Sequence, residues 1–183
     1  MIRYIALLRG INVGGHKIIP MAKLKSIFES GGFKNVATYI QSGNVLFDSP
    51  VTDSGKLRSK IEGILKQSLG YDVPVLIRTS DEMKKIVAKN PFAGGHEEGK
   101  TKFYVTFLEA APSKEQKAKI LEFQIDGFTI VMHGTEMYSL LDVKFSGNDT
   151  PFSNSAVEKI LARPSTTRNW ATVNKLLAMS QEY

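Results

Sequence analysis

One order of elements is written into this chain twice. Arg3 to Leu8 predicts a strand. Met21, Leu24, Ile27 and Phe28 recur at helical spacing behind Pro20, and Gly31-Gly32 supplies a left-handed stop. Ala37 to Ile40 and Val45 to Phe47 are β-prone runs around Ser42-Gly43-Asn44, where Gly and Asn tolerate the positive φ of a hairpin turn. Leu57, Ile61, Ile64, Leu65 and Leu69 then share one helix face, and Val75 to Arg78 is the next strand. The second passage starts with Phe103 to Leu108. The capping box Ser113-x-x-Gln116 opens a helix to about Phe123, and Phe128–Met132 and Met137–Leu141 form a hairpin around Gly134. A helix begun at Ser153 or Ser155 runs through Leu161. The first passage, strand, helix, strand, strand, helix, strand, has the split βαβ order of ferredoxin-like units, and the second again runs strand, helix, strand, strand, helix. The expected fold is therefore α+β, with two ferredoxin-like halves from an internal duplication plus a C-terminal helix.

Thr38 and Gly43 stand 91 residues before Thr129 and Gly134, and Tyr4–Leu8 parallels Tyr104–Leu108. The expected first half is 1–79. A helix capped by Ser80 and a Gly-rich stretch, AGGHEEGK, form a link over 80–101, and 102–183 is the second half. Ser54 is the expected cap of the second helix. The last helix, Thr167 to Ser180, takes its cap from Ser165, Thr166 or Thr167, buries Trp170, Val173, Leu176 and Leu177, and has no counterpart in the first half. Tyr4 to Leu8 is apolar or amphipathic throughout, as in a central strand covered on both faces.

With 42% hydrophobic and 23% charged residues, the 183-residue chain has the profile of a globular protein. The absence of cysteine removes disulfides, thiol catalysis, thiolate metal sites and iron–sulfur clusters together. No apolar run approaches the roughly 20 residues that span a bilayer, and Ile5–Leu8 falls short of the about 7–15 residues of a signal sequence. The expectation is a cytoplasmic protein without a membrane partner. Residues 1–99 carry 14 Lys and Arg against 9 Asp and Glu, whereas 100–183 carry 10 against 9. Between Arg9 and Lys34 there are five basic residues and only Glu29. That excess favours anionic partners.

The basic window begins in the loop RGINVGGHK, Arg9 to Lys17. Gly10, Gly14 and Gly15 let backbone N–H groups face a ligand, and Arg9, His16 and Lys17 add donors, a combination suited to a phosphate or carboxylate. Gly10-x-x-x-x-Gly15 has the spacing of a phosphate-binding P-loop. His16-Lys17-Ile18 nonetheless puts neither the lysine nor the Mg²⁺ hydroxyl in register, and the dinucleotide glycine spacing is absent. The alternative is a tight connection in which Ile11 and Val13 plug a core gap. Tyr39, Gln41, Ser42 and Asn44 either line a pocket beside the loop or satisfy their own turn. Arg168, in the first turn of the last helix, opposes the helix dipole and calls for an acidic partner or a bound anion. Asn12, Asn44 or Asn169 would orient the ligand.

Enzyme signatures are thin. His16, His96 and His133 lie far apart, His96-Glu97-Glu98-Gly99 lacks a zinc helix's second histidine, and no nucleophile elbow or carboxylate pair stands out. No metal or cofactor is expected. A small-molecule anion is the first reading. Nucleic-acid backbone binding through Lys17, Lys23, Lys25 and Lys34 is the second, although Tyr4 and Phe47 make a poor base-stacking platform. The third is a structural or partner-binding module.

MIRYIALLRGINVGG, PMAKL, TYIQSGNVLF and SNSAVEKILARPSTTRNWATVNKL together resemble a bacterial domain-of-unknown-function family, DUF1697, over nearly the whole chain. The matching positions are Arg9, Gly10, Asn12, Gly14, Gly15, Tyr39, Ser42, Gly43, Asn44, Thr167, Arg168, Asn169 and Trp170. The resemblance implies a soluble α+β protein and brings no assigned activity or catalytic residues.

Overall fold

The structure, a computed structural model, describes residues 1–15, 17–145 and 153–182. It divides into two compact units, Met1–Lys85 with Lys175–Tyr183, and Ile86–Asn174. In unit 1 the order is β1 (Ile2–Leu8), α1 (Met21–Ser30), β2 (Lys34–Tyr39), β3 (Asn44–Ser49), α2 (Ser54–Leu69), β4 (Val75–Thr79) and the start of α3 (Ser80–Ala88). The antiparallel sheet has the order β2-β3-β1-β4. One face of β1 sends Tyr4, Ala6 and Leu8 into a core with Phe47 of β3, Leu24 and Phe28 of α1, and Leu57, Ile61 and Leu65 of α2. Tyr4 stacks on Phe47 with ring centroids 5.7 Å apart. Its hydroxyl donates to the Val51 carbonyl at 2.6 Å, and burial, with help from the Glu82 charge, raises its pKa. Ile5 and Leu7 point to the other face and are buried too, so the continuous apolar run does mark a strand covered on both sides.

Unit 2 holds β5 (Thr101–Leu108), α4 (Lys114–Leu121), β6 (Phe128–His133), β7 (Glu136–Asp142), α5 (Asn154–Leu161), β8 (Ser165–Asn169) and the start of α6 (Trp170–Gln181). Its sheet order, β6-β7-β5-β8, is that of unit 1. The molecule thus consists of two ferredoxin-like halves.

The structure corrects the expected start of the last helix. Ser165–Asn169 is a strand, in which Thr167 pairs with Thr106 and Ser165 with Leu108 of β5. Ser and Thr suit helix caps, but threonine's β-branch also suits a pleated strand, and pairing with β5 decides between them. The repeat therefore runs two elements further than the sequence suggests, because β8 answers β4 and α6 follows β8 as α3 follows β4. In both cases the strand's last residue caps the helix. Thr79 Oγ1 accepts from the Glu82 N–H (3.1 Å) while Glu82 Oε2 accepts from the Thr79 N–H (2.7 Å). Asn169 Oδ1 accepts from the Thr172 N–H at 2.8 Å. Ser80 is thus already helical, and Asp53 rather than Ser54 caps α2, accepting from the Lys56 N–H at 3.0 Å. The spacing of 91 is not a structural register either. The turn between β2 and β3 takes residues 40–43, whereas that between β6 and β7 takes only Gly134 and Thr135. The true match is shown by Leu8 and Leu108, whose N–H groups donate to the carbonyls of Gly43 and Thr135.

The two halves differ in their cores. At the positions of Ala6, Phe47, Val75 and Ile77, unit 2 has Thr106, Ser139, Ser165 and Thr167. The Thr106 and Thr167 hydroxyls lie 2.7 Å apart, and Thr167 donates to Asn154 Oδ1 at 2.6 Å. The Ser139 and Ser165 hydroxyls, both at 0% exposure, have no hydrogen-bond partner among the described residues. A buried hydroxyl without a partner costs about 1–3 kcal/mol. Ser165→Ala, which keeps the N–H bond to Glu158 Oε1, should therefore gain about 1 kcal/mol and raise the Tm by about 2–4 °C in a thermal melt. A lower Tm would show that the hydroxyl is satisfied.

Candidate functional site

The glycine-rich connection leaves the end of β1 with its backbone pinned on two sides. Leu8 N–H donates to the Gly43 carbonyl (2.8 Å) and Arg9 N–H to that of Pro74 (2.9 Å). From there φ alternates in sign. It is positive at Gly10 (73°), Asn12 (53°) and Gly14 (59°) and negative at Ile11 and Val13 between them; Gly15 (77°) and Lys17 (49°) are positive as well. Alternation in the sign of φ is a feature of the backbone concavities that receive anions; here the Asn12 N–H is committed to the Lys17 carbonyl. Among the described residues no hydrogen bond is made to the N–H of Gly10, Gly14 or Gly15.

Asn12 closes the loop. Its Nδ2 donates to the carbonyls of Ile19 (3.1 Å) and Gln41 (2.8 Å), its Oδ1 accepts from the Ile19 N–H (2.7 Å), and its own N–H donates to the Lys17 carbonyl (3.2 Å). One side chain therefore binds the two ends of the loop to each other and to the hairpin turn. Ile11 is buried against Gly43, as the tight-connection alternative expects, but Val13 plugs nothing and is 63% exposed.

The remaining candidates divide by location. Lys17 donates from Nζ to the Asp72 carbonyl (3.2 Å) and lies 4.9 Å from the Tyr71 ring centroid, so it leans toward the lead-in to β4. Asn44 is fully buried and donates to the Tyr39 carbonyl (3.0 Å) and Ser42 Oγ (2.9 Å), which satisfies the turn. His16 lies outside the described residues. Arg168 and Asn169 belong to unit 2. Arg168 is not in a helix, so the dipole argument for an anion there does not apply. It is a buried strand residue that donates from Nη1 to Thr166 Oγ1 (2.8 Å) and the Thr167 carbonyl (2.9 Å). Arg78 holds the same place in β4, is also buried and donates likewise to the carbonyl before it, at 2.8 Å. This arginine is a repeated part of the fold, and the spacing of 90 between Arg78 and Arg168 is a sequence signal that would have revealed it. Asn169 is occupied as the cap of α6, and Trp170 stacks on Phe103 at 4.4 Å.

For nucleic acid, Tyr4 and Phe47 stack on each other inside the core and offer no face to a base, and Lys25 pairs with Glu29 at 3.7 Å. Among the described residues no three metal-capable side chains gather, and no helix is long and apolar enough to cross a membrane. In unit 2 the connection from β5 to α4, Glu109–Ser113, borders an open cavity of about 490 Å³ shared with Leu161 and Arg163.

The fold and this connection define a tandem ferredoxin-like protein with a glycine-rich loop in its first half. The chain belongs to the family described as Protein of unknown function (DUF1697), whose model matches residues 1–138. That match takes in the loop and both hairpins up to Tyr138 and stops before β8. The conserved bacterial protein SP0830 from Streptococcus pneumoniae has a similar solved structure, with a TM-score of 0.73 and 21% identity over 98% of this chain and 99% of that one. No curated protein matches the chain.

Proposed function

We propose that the protein binds a small anion, a phosphate or a carboxylate, on the backbone N–H groups of Gly10, Gly14 and Gly15, with Arg9 as the flanking cation. The observation that carries this reading is the alternation of φ from Gly10 to Gly14 beside N–H groups left without a partner among the described residues. The molecule supplies its own comparison. Unit 2 joins its first strand to its first helix through Glu109–Ser113 without a glycine, so the topology does not require the longer loop. Neither the loop Arg9–Pro20 nor the turn Ile40–Gly43 contains an acidic residue. Helix α1 begins only at Met21, so its dipole lies away from Gly14 and Gly15, and recognition falls to loop N–H groups and Arg9. The reading is one of binding and assigns no reaction.

Isothermal titration with inorganic phosphate, acetate and a short DNA duplex tests it. A charge-assisted hydrogen bond contributes about 1.5–3 kcal/mol, so Arg9→Ala should weaken phosphate or acetate binding about tenfold or more. No binding of either anion to the wild type, or equal binding to the variant, overturns the proposal. A duplex that binds more tightly than both, with an affinity falling steeply in salt, favours a nucleic-acid surface instead.

A further inference from the structure

Six large apolar side chains are exposed among the described residues, and three of them, Val13 (63%), Ile18 (73%) and Ile40 (47%), surround the loop. Asn12 ties together the backbone segments that carry them. Val13 follows it directly, Ile18 precedes the residue whose N–H and carbonyl it binds, and Ile40 precedes the Gln41 carbonyl that it holds. Ile40 is the most informative of the three. It adopts φ +46°, a left-handed conformation that opposes a β-branched residue and that asparagine takes at 12 and 35 in this same chain. Its side chain is half exposed, so the fold recovers little from burying it. A strained apolar residue kept at the surface points to a contact outside the fold. In the sequence Arg9 and Lys17 stand at the two ends of the segment that carries Val13, and neither 9–20 nor 40–43 contains an acid.

We infer that the ligand of the loop is an amphiphilic anion: a phosphate or carboxylate head on the loop N–H groups and Arg9, and a short alkyl chain or similar apolar group against Val13, Ile18 and Ile40. The inference rests on the anion-binding reading above and adds the chemistry of the rest of the ligand. Its source is a free small molecule. Recruitment to an anionic lipid surface uses clusters of about four to eight basic residues, whereas Arg9 and Lys17 are the Lys and Arg residues of the segment 9–20.

The test titrates the full chain with inorganic phosphate, then ethyl, butyl and hexyl phosphate below their aggregation concentrations, with hexanol and phosphatidylglycerol-containing vesicles in parallel. Burying a methylene is worth up to about 0.8 kcal/mol, so each should tighten binding by about two- to fourfold until the patch is covered. In the double variant Val13→Ser/Ile40→Asn, which removes the left-handed isoleucine and leaves Ile18, the ratio of hexyl phosphate to inorganic phosphate affinity should fall severalfold. Phosphate that binds with no chain-length dependence overturns this inference and leaves the anion reading standing. If neither phosphate nor its esters bind, the anion reading itself has failed. Hexanol binding as tightly as hexyl phosphate, an unchanged ratio in the double variant, or vesicles outcompeting hexyl phosphate would each overturn the amphiphile.

Discussion

Gly43→Ala should lower the stability of unit 1 by about 3 kcal/mol in urea unfolding and weaken the proposed anion binding with it. Two costs add. Gly43 has φ +76°, and an L-residue in that region costs about 1–2 kcal/mol. A Cβ there would also stand 2.8 Å from Ile11 Cδ1 and 2.9 Å from Leu8 Cβ, and the second is anchored to the end of β1 and cannot swing aside. Overpacking of this kind costs about 1–3 kcal/mol. Relief comes only by lifting the turn off the loop, which strains the Gly43 carbonyl bond to Leu8 and the Gln41 carbonyl bond to Asn12. Gly10→Ala is the matched control. Its φ is +73°, yet nothing lies within 4 Å of the added carbon, so only the conformational cost of about 1–2 kcal/mol applies. If the two substitutions cost the same, the turn does not brace the loop.

Asp48→Ala should destabilise the same unit by a similar amount, about 3 kcal/mol. Asp48 receives Arg3 Nη1 at 3.2 Å and Asn35 Nδ2 at 2.6 Å, and the side chains of Arg3 and Asp48 are only 8% and 13% exposed. Arg3 Nη1 also donates to the Asn35 carbonyl at 2.7 Å. The cluster thus clasps the irregular start of β2, where Asn35 is left-handed and the pairing with β3 shifts between Lys34 and Ala37. Removing one member of a buried ion pair leaves the other charge poorly solvated, which costs about 3–5 kcal/mol; the partial exposure here puts the effect at the low end. Asp48→Asn keeps one acceptor and should lose less. Urea unfolding of both variants checks this, and a loss below about 1 kcal/mol for Asp48→Ala would mean that the clasp contributes little.

Much of the fold is legible in the sequence because its signals are local and apolar. The uninterrupted run Tyr4–Leu8, the face Leu57–Ile61–Leu65 and the capping box at Ser113 each lead directly to the observed element. β8 is not legible in that way. Ser-Thr-Thr-Arg-Asn has no apolar alternation, and its strand character comes from β5 beside it and from a core that accepts hydroxyls where the first half has Val75 and Ile77. Arg168 illustrates the consequence. Read as a helix residue, its charge calls for an acidic partner or a bound anion; as the counterpart of Arg78, it belongs to the architecture. At the loop, the glycines forecast left-handed backbone, but the role of Asn12 depends on Gln41, 29 residues away, and only the folded chain brings them together. The left-handed conformation of Ile40 had no sequence signal, since isoleucine is among the residues least suited to it.

Thr79 pairs with Tyr4 in the sheet while capping α3, and Asn169 pairs with Tyr104 while capping α6. No residue lies between strand and helix to take up a change in backbone angle. Each helix is in effect cantilevered from its sheet, and a torque on α3 or α6 reaches β1 or β5 without slack. Conversely, the last rung of the ladder and the first turn of the helix give way as one event.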